Sequence, residues 1–229
     1  MQSNPECADC GAASPDWVSL NLGVVVCIQC SGIHRSLGTH VSKVRSLRLD
    51  ALAKLDLAVV RHVGNKRANA VWERKMQEGW TKPAPSAPGE EKRKFIQSKY
   101  VWRGFLGDGP GGDAPSDHGS GDGGGGGGEE LWSRRLFESV GRGDLAAAAE
   151  ALAHGGSPKW VDEGQDGRTA LHRAAAAGNL ECCELLFLNG ADVMMLDLHQ
   201  CNPLDAAVLS NQVPAVEYFS RKMDLLERY

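Results

Sequence analysis

Two close cysteine pairs, Cys7-x2-Cys10 and Cys27-x2-Cys30, stand 16 residues apart and constrain this chain more than anything else in it. Each pair can grip one side of a tetrahedral ion, and an intervening strand and turn bring the pairs together, so the spacing points to one structural Zn2+. Four unrelated buried cysteines would leave the doubled spacing unexplained. Four sulfurs complete the tetrahedron, which leaves no position for a metal-bound water and argues against zinc hydrolysis or deamination. The metal's work is then folding, because binding energy is spent on organising loops that cannot build a core alone. The total of seven cysteines is odd, a poor pattern for a secreted disulfide framework and a better one for metal binding in a reducing compartment.

The 229 residues, 42% of them hydrophobic, allow one or two domains with proper cores. No run of eighteen apolar residues and no signal-peptide pattern is present. Residues 1–106 carry 16 Lys and Arg against 9 Asp and Glu, whereas residues 107–229 carry 9 against 20. A basic first half suits an anionic partner, and an acidic second half does not. The break falls in a tract from Gly107 to Gly128 in which 12 of 22 residues are glycine. Such a tract cannot bury a core, so it reads as a flexible linker, spanning roughly 25 Å root-mean-square, between units that reorient independently.

Within residues 1–106, Val24 to Cys27 reads as a strand. Leu52, Leu55, Val59 and Val63 recur at helical spacing after Asp50, a candidate N-cap, with Gly64 as a stop. Further helices are expected over residues 68–76 and 90–100. Residues 129–229 repeat internally. Thr169-Ala-Leu-His-Arg-Ala and Asn202-Pro-Leu-Asp-Ala-Ala are offset by 33 residues, the period and pattern of ankyrin repeats, and an earlier copy aligns at 35. Three helix pairs follow, in repeats of about 131–165, 166–198 and 199–229. His172 occupies the turn position that ties such a repeat together, and Cys182, Cys183 and Cys201 read as small buried hydrophobes. The expected fold class is mainly α, with a small β-containing, four-cysteine zinc finger (α+β) followed by an α-solenoid. That solenoid offers a concave protein-binding face or one that packs back on the zinc unit.

Directly after Cys30 comes Ser31-Gly-Ile-His-Arg-Ser-Leu-Gly38. It holds Arg35 one short step from a rigid metal site, as an electrostatic catalyst requires. An arginine beside a zinc finger is also a common phosphate or salt-bridge contact. His34 taken alone is a satisfied surface or core histidine, since four cysteines leave it no place as a ligand.

Residues 7 to about 106 resemble the zinc-finger domain of Arf GTPase-activating proteins. The matching features are the four-cysteine spacing, Pro15-Asp-Trp17, Leu22-Gly-Val24, Cys27 to Gly38, Val41 to Leu47 and Gly64-Asn65. Lys82 to Ser86, and Ala151 to Gly155 ahead of the repeats, are similar to the ACAP (centaurin-beta) group. The resemblance implies that Arg35 acts as an arginine finger in trans on an Arf-family GTPase in its GTP form, with GTP and Mg2+ held by the partner. It implies partner contacts at Trp17, Ile33 and Asp50, although Trp17 and Ile33 would also serve as core around the metal and Asp50 as a helix cap. Lys43, Arg45 and Arg48 form a basic strand that could face acidic phospholipid or the GTPase, or be an ordinary solvated face. An unknown protein is expected at the ankyrin repeats, and a cytoplasmic location with transient recruitment to endosomal or plasma membranes. Leu52 stands where the family often has tryptophan. The ACAP group carries membrane-binding modules upstream, whereas this chain starts six residues before Cys7, so recruitment comes from elsewhere or the sequence is a fragment. A noncatalytic GTPase-binding scaffold is the alternative. A nucleic-acid binder lacks tandem fingers and aromatic platforms, so no nucleic-acid partner is expected.

Overall fold

The computed structural model describes residues 4–107 and 126–226. The first unit is built on a three-stranded antiparallel sheet of β1 (Trp17–Ser19), β2 (Val24–Val26) and β3 (Val44–Ser46), ordered β2-β1-β3. Between β2 and β3 lies α1 (Ile28–Ser36); α2 (Lys54–Trp72) and α3 (Gly89–Tyr100) follow. The second unit stacks three helix pairs: α4 (Gly126–Arg142) with α5 (Leu145–Ala153), α6 (Ala170–Ala176) with α7 (Leu180–Leu188), and α8 (Pro203–Leu209) with α9 (Val213–Leu226). A short ladder of β4 (Val161–Asp162) and β5 (Arg168–Thr169) lies between the first and second pairs. The mainly α fold, the small sheet and the solenoid are those expected. Most of the glycine tract lies outside the described residues, and α4 begins within its final glycines, earlier than the boundary at residue 129. Among the described residues, no helix is long and apolar enough to cross a membrane.

Two glycines set the packing of the first unit. Gly23 turns β1 into β2 at φ +67°, and a Cβ there would lie 2.6 Å from Val63 Cβ, so the hairpin can close on α2 only without a side chain. Gly64 kinks α2 with φ 66° and ψ 159°, which makes 54–72 two helical segments rather than one. The kink turns Asn65 into the interior. Its amide oxygen accepts from the Val25 N–H at 2.7 Å, and its amide nitrogen donates to the Glu6 and Val25 carbonyls at 2.6 and 2.9 Å. The first helical segment thus stops at Gly64 as expected, and a second starts directly after it. Asp50 does not cap α2: its carboxylate accepts from the Ser46 N–H at 2.6 Å, and Asp56 caps the Ala53 N–H instead at 3.0 Å. Three intervening residues carry the chain from Asp50 to the helix, which is too far for a side-chain cap.

The two units do not stand apart. Buried residues of both form one continuous apolar cluster, and a second cluster seats Leu188 of α7 against Val18, Leu20, Val25 and Val60. Arg74 pairs with Glu150 and His62 with Glu181, each at 2.7 Å, and the Asn189 side chain donates to the Asn21 carbonyl at 3.1 Å. Independent reorientation is therefore not what the structure shows. The charge asymmetry that suggested separate partners is in part satisfied internally, Arg74 just past α2 against Glu150 of α5.

Candidate functional site

The β1–β2 hairpin and the start of α1 bring Cys7, Cys10, Cys27 and Cys30 together, with all four sulfurs within 4.8 Å of one another. Cys10 and Cys27 sulfurs lie 3.7 Å apart. A tetrahedron with Zn–S bonds near 2.3 Å has edges of about 3.8 Å, whereas a disulfide would need about 2.05 Å. The all-thiolate donor set, largely buried and unbridged, fits one structural zinc.

Cys27 stands at the N-cap of α1 and Cys30 lies in its first turn. The last turn carries Arg35, whose guanidinium rests over the Trp17 ring at 4.4 Å from the centroid. Arg35 is exposed and has no ion pair among the described residues. The cation–π contact holds the side chain extended along the surface without neutralising it. The cleft of about 870 Å³ between α2 and α5 holds neither Arg35 nor Trp17. The arginine sits on an open face.

Behind that face lies a buried polar network. Asp9, between the first two cysteines, accepts from Lys99 Nζ at 3.1 Å, from Tyr100 OH at 2.9 Å and from His34 Nε2 at 2.9 Å. Lys99 also donates to Asn69 and Glu73, each at 2.7 Å. Burial alone would push the Asp9 carboxyl up, but Lys99 and His34 hold it well below the usual carboxylate range. Burial and the Asp9 charge push the Tyr100 hydroxyl well above its ordinary value, so it stays a donor. On the other side of the ring, His34 Nδ1 meets Ser42 Oγ at 2.8 Å; Ser42 donates to Ser19 at 2.8 Å, and Ser19 to Asn21 Oδ1 at 3.2 Å. The Asn21 amide is itself fixed, its oxygen accepting from the Lys43 N–H and its nitrogen donating to the Val41 carbonyl.

The other expected residues are scattered. Ile33 is 6% exposed and packs in the core, which leaves little of it for a partner. Asp50 is exposed beside Leu49. Lys43 is half-buried; burial pushes its ammonium below the ordinary lysine range, and the charges that act on it are Glu184 and Lys222 of the repeats and Arg45. It faces the second unit. Arg45 is exposed, and Arg48 pairs with Asp16 at 3.2 Å. Two exposed apolar residues not singled out from the sequence are Ile28, 65% exposed on α1, and Leu49, 82% exposed after β3. Ile28 precedes Arg35 by seven residues, two helical turns, so both sit on one face. That spacing was available in the sequence. In the repeats, His172 accepts from the Thr169 N–H at 3.2 Å and donates to the Cys201 carbonyl at 3.0 Å, tying one repeat to the next.

Comparison with known proteins matches the two parts of the chain to different families. Residues 1–108 match the ArfGap family, described as GTPase activating protein for Arf, and residues 136–227 match ankyrin repeats in three copies. An Arf-GAP with coiled-coil, ANK repeat and PH domain-containing protein 2 from Gallus gallus is 31% identical over 97% of this chain and 37% of its own length. The ADP-ribosylation factor GTPase-activating protein AGD12 of Arabidopsis thaliana is 44% identical over 46% of this chain and 32% of its own length. The chain thus spans about a third of these curated relatives. The solved ArfGap domain of HIV-1 Rev binding protein overlays 46% of this chain and 79% of its own at 22% identity, with a TM-score of 0.41.

Proposed function

We propose, from the match of residues 1–108 to the ArfGap family and of residues 136–227 to ankyrin repeats, that the chain stimulates GTP hydrolysis by an Arf-type GTPase, with Arg35 entering the partner's nucleotide site. The observation that carries this reading is the exposed, unpaired guanidinium of Arg35, braced on Trp17 and rooted in the helix that starts at the metal site. A donor already aimed at the place where charge develops loses nothing to reorganisation as the phosphoryl group transfers. The nucleotide and Mg2+ belong to the partner, so this chain acts as an activator rather than as an enzyme with its own substrate pocket. Zinc would be held by Cys7, Cys10, Cys27 and Cys30, and it supplies rigidity.

Ile28 would meet the GTPase beside Arg35; Trp17, only 9% exposed, would contribute through the guanidinium it supports, and Leu49 and Asp50 would lie at the edge of the contact. Arg45 would face the GTPase or acidic phospholipid, and the repeats would hold a protein partner on their free face. An arginine finger is worth about 10^3 to 10^5 in rate, or roughly 4–7 kcal/mol of barrier. Lysine lacks the planar fork and would not substitute. The test is single-turnover hydrolysis of Arf-bound GTP on acidic liposomes with the parent chain and Arg35→Lys. Loss of at least about a hundredfold in the variant, with zinc content unchanged, is the expected result. Equal stimulation by both proteins would remove the finger and leave a GTPase-binding scaffold.

A further inference from the structure

We propose that Ser42 and His34 are positioning residues that aim Arg35, an inference that rests on the reading of Arg35 as the finger. The helix α1 is nine residues long, too short to hold itself, and no side chain caps its start. Its orientation therefore has to come from anchors outside it. One is Cys30 in the first turn, fixed by the metal site. Ile33 packs in the core, and α3 reaches Gln29 through Lys92 and Ser36 through Arg93; the anchor next to Arg35 in the chain is His34 in the last turn, wholly buried with a partner on each ring nitrogen.

Those two partners come from different elements. Asp9 belongs to the zinc knuckle and Ser42 to the segment entering β3. Ser42 leads through Ser19 to Asn21, and Ser19 lies on β1 two residues from Trp17. Side chains two apart on a strand point to the same side. The base of Arg35 is thus referred to β1 through His34, Ser42 and Ser19, and its tip is referred to the same strand through Trp17. Fixing a lever at both ends on one strand restrains its direction more tightly than either contact alone. Removing the Ser42 hydroxyl leaves the imidazole with Asp9 only, and the ring and the last turn of α1 can pivot about that bond.

A misplacement of about 1 Å in a catalytic group costs on the order of a hundredfold in rate. The experiment measures kcat and KM of the full chain for GTP-loaded Arf, with zinc per chain determined on the same samples, for Ser42→Ala, Ser19→Ala and Arg35→Lys. The expected result is a kcat lowered about ten- to a hundredfold by Ser42→Ala and less by Ser19→Ala, with KM and zinc unchanged. Parent-like kcat in Ser42→Ala at full zinc occupancy overturns the proposal, as does a loss confined to KM. Should Ser42→Ala release zinc, Ser19→Ala decides: a kcat-only loss supports the proposal, and none overturns it. An inactive Arg35→Lys beside a fully active Ser42→Ala sinks the positioning role alone, whereas a fully active Arg35→Lys sinks the finger and the positioning role with it.

Discussion

Lys99 lies wholly inside the first unit, 91 residues from Ala8 in sequence and within hydrogen-bond reach of its carbonyl. An ammonium in that position is tolerable only because Asp9 and Glu73 lie against it. Replacing one member of a buried pair strands the other charge, so Lys99→Met is expected to cost about 3–5 kcal/mol, read as a lowered denaturant midpoint of the zinc-loaded chain. Nothing in the order of residues announces this cluster, whose members are dispersed through the first hundred positions and show no periodicity. The metal ligands were legible because coordination geometry imposes a spacing on the chain. Arg35 was legible as a residue type beside that metal. The family motif points to Ile33 as a partner contact, whereas helical spacing puts Ile28 on the open face with Arg35.

At the level of elements, the hinge in α2 matters most. Gly64 adopts φ 66° and ψ 159°, a region in practice reserved for glycine, and its would-be Cβ meets nothing closer than Asn4 Oδ1 at 3.4 Å. Space is therefore available and the backbone is the obstacle. Gly64→Ala is expected to lower stability by about 1–3 kcal/mol, measurable by thermal unfolding, with the Asn65 bonds to β2 the first to loosen. The repeat helices were readable because ankyrin spacing recurs, whereas β1 and β3, of three residues each, carry too few positions to declare a period. Burial pushes His172 below its ordinary value near 6.5, and His154 likewise. Both imidazoles are neutral in the folded repeats, while the unfolded chain gains protons as the pH drops below about 6.5. Stability is then full above that value and declines with acidification. The unfolding midpoint should be lower at about pH 5.5 than at about 7.5, and His172→Gln should flatten part of that slope.

For the whole molecule, the repeats pack back on the zinc unit, one of the two arrangements open to the solenoid, and this overturns the independent reorientation expected across the glycine tract. Opposite net charges on the two halves were visible, but net charge says nothing about which faces meet. The deciding contact is apolar. Leu188, 7% exposed, sits among Val18, Leu20, Val25 and Val60, beneath the sheet whose other side carries Trp17. Leu188→Ala is expected to cost about 2–5 kcal/mol and to destabilise the zinc unit along with the repeats, which separate unfolding probes, zinc release against helical circular dichroism, would detect as coincident transitions. A fragment cut at residue 107 would lose that plug. Its bared valines would form a sticky socket, and the fragment is expected to self-associate where the full chain stays monodisperse, which size-exclusion chromatography of the two would show.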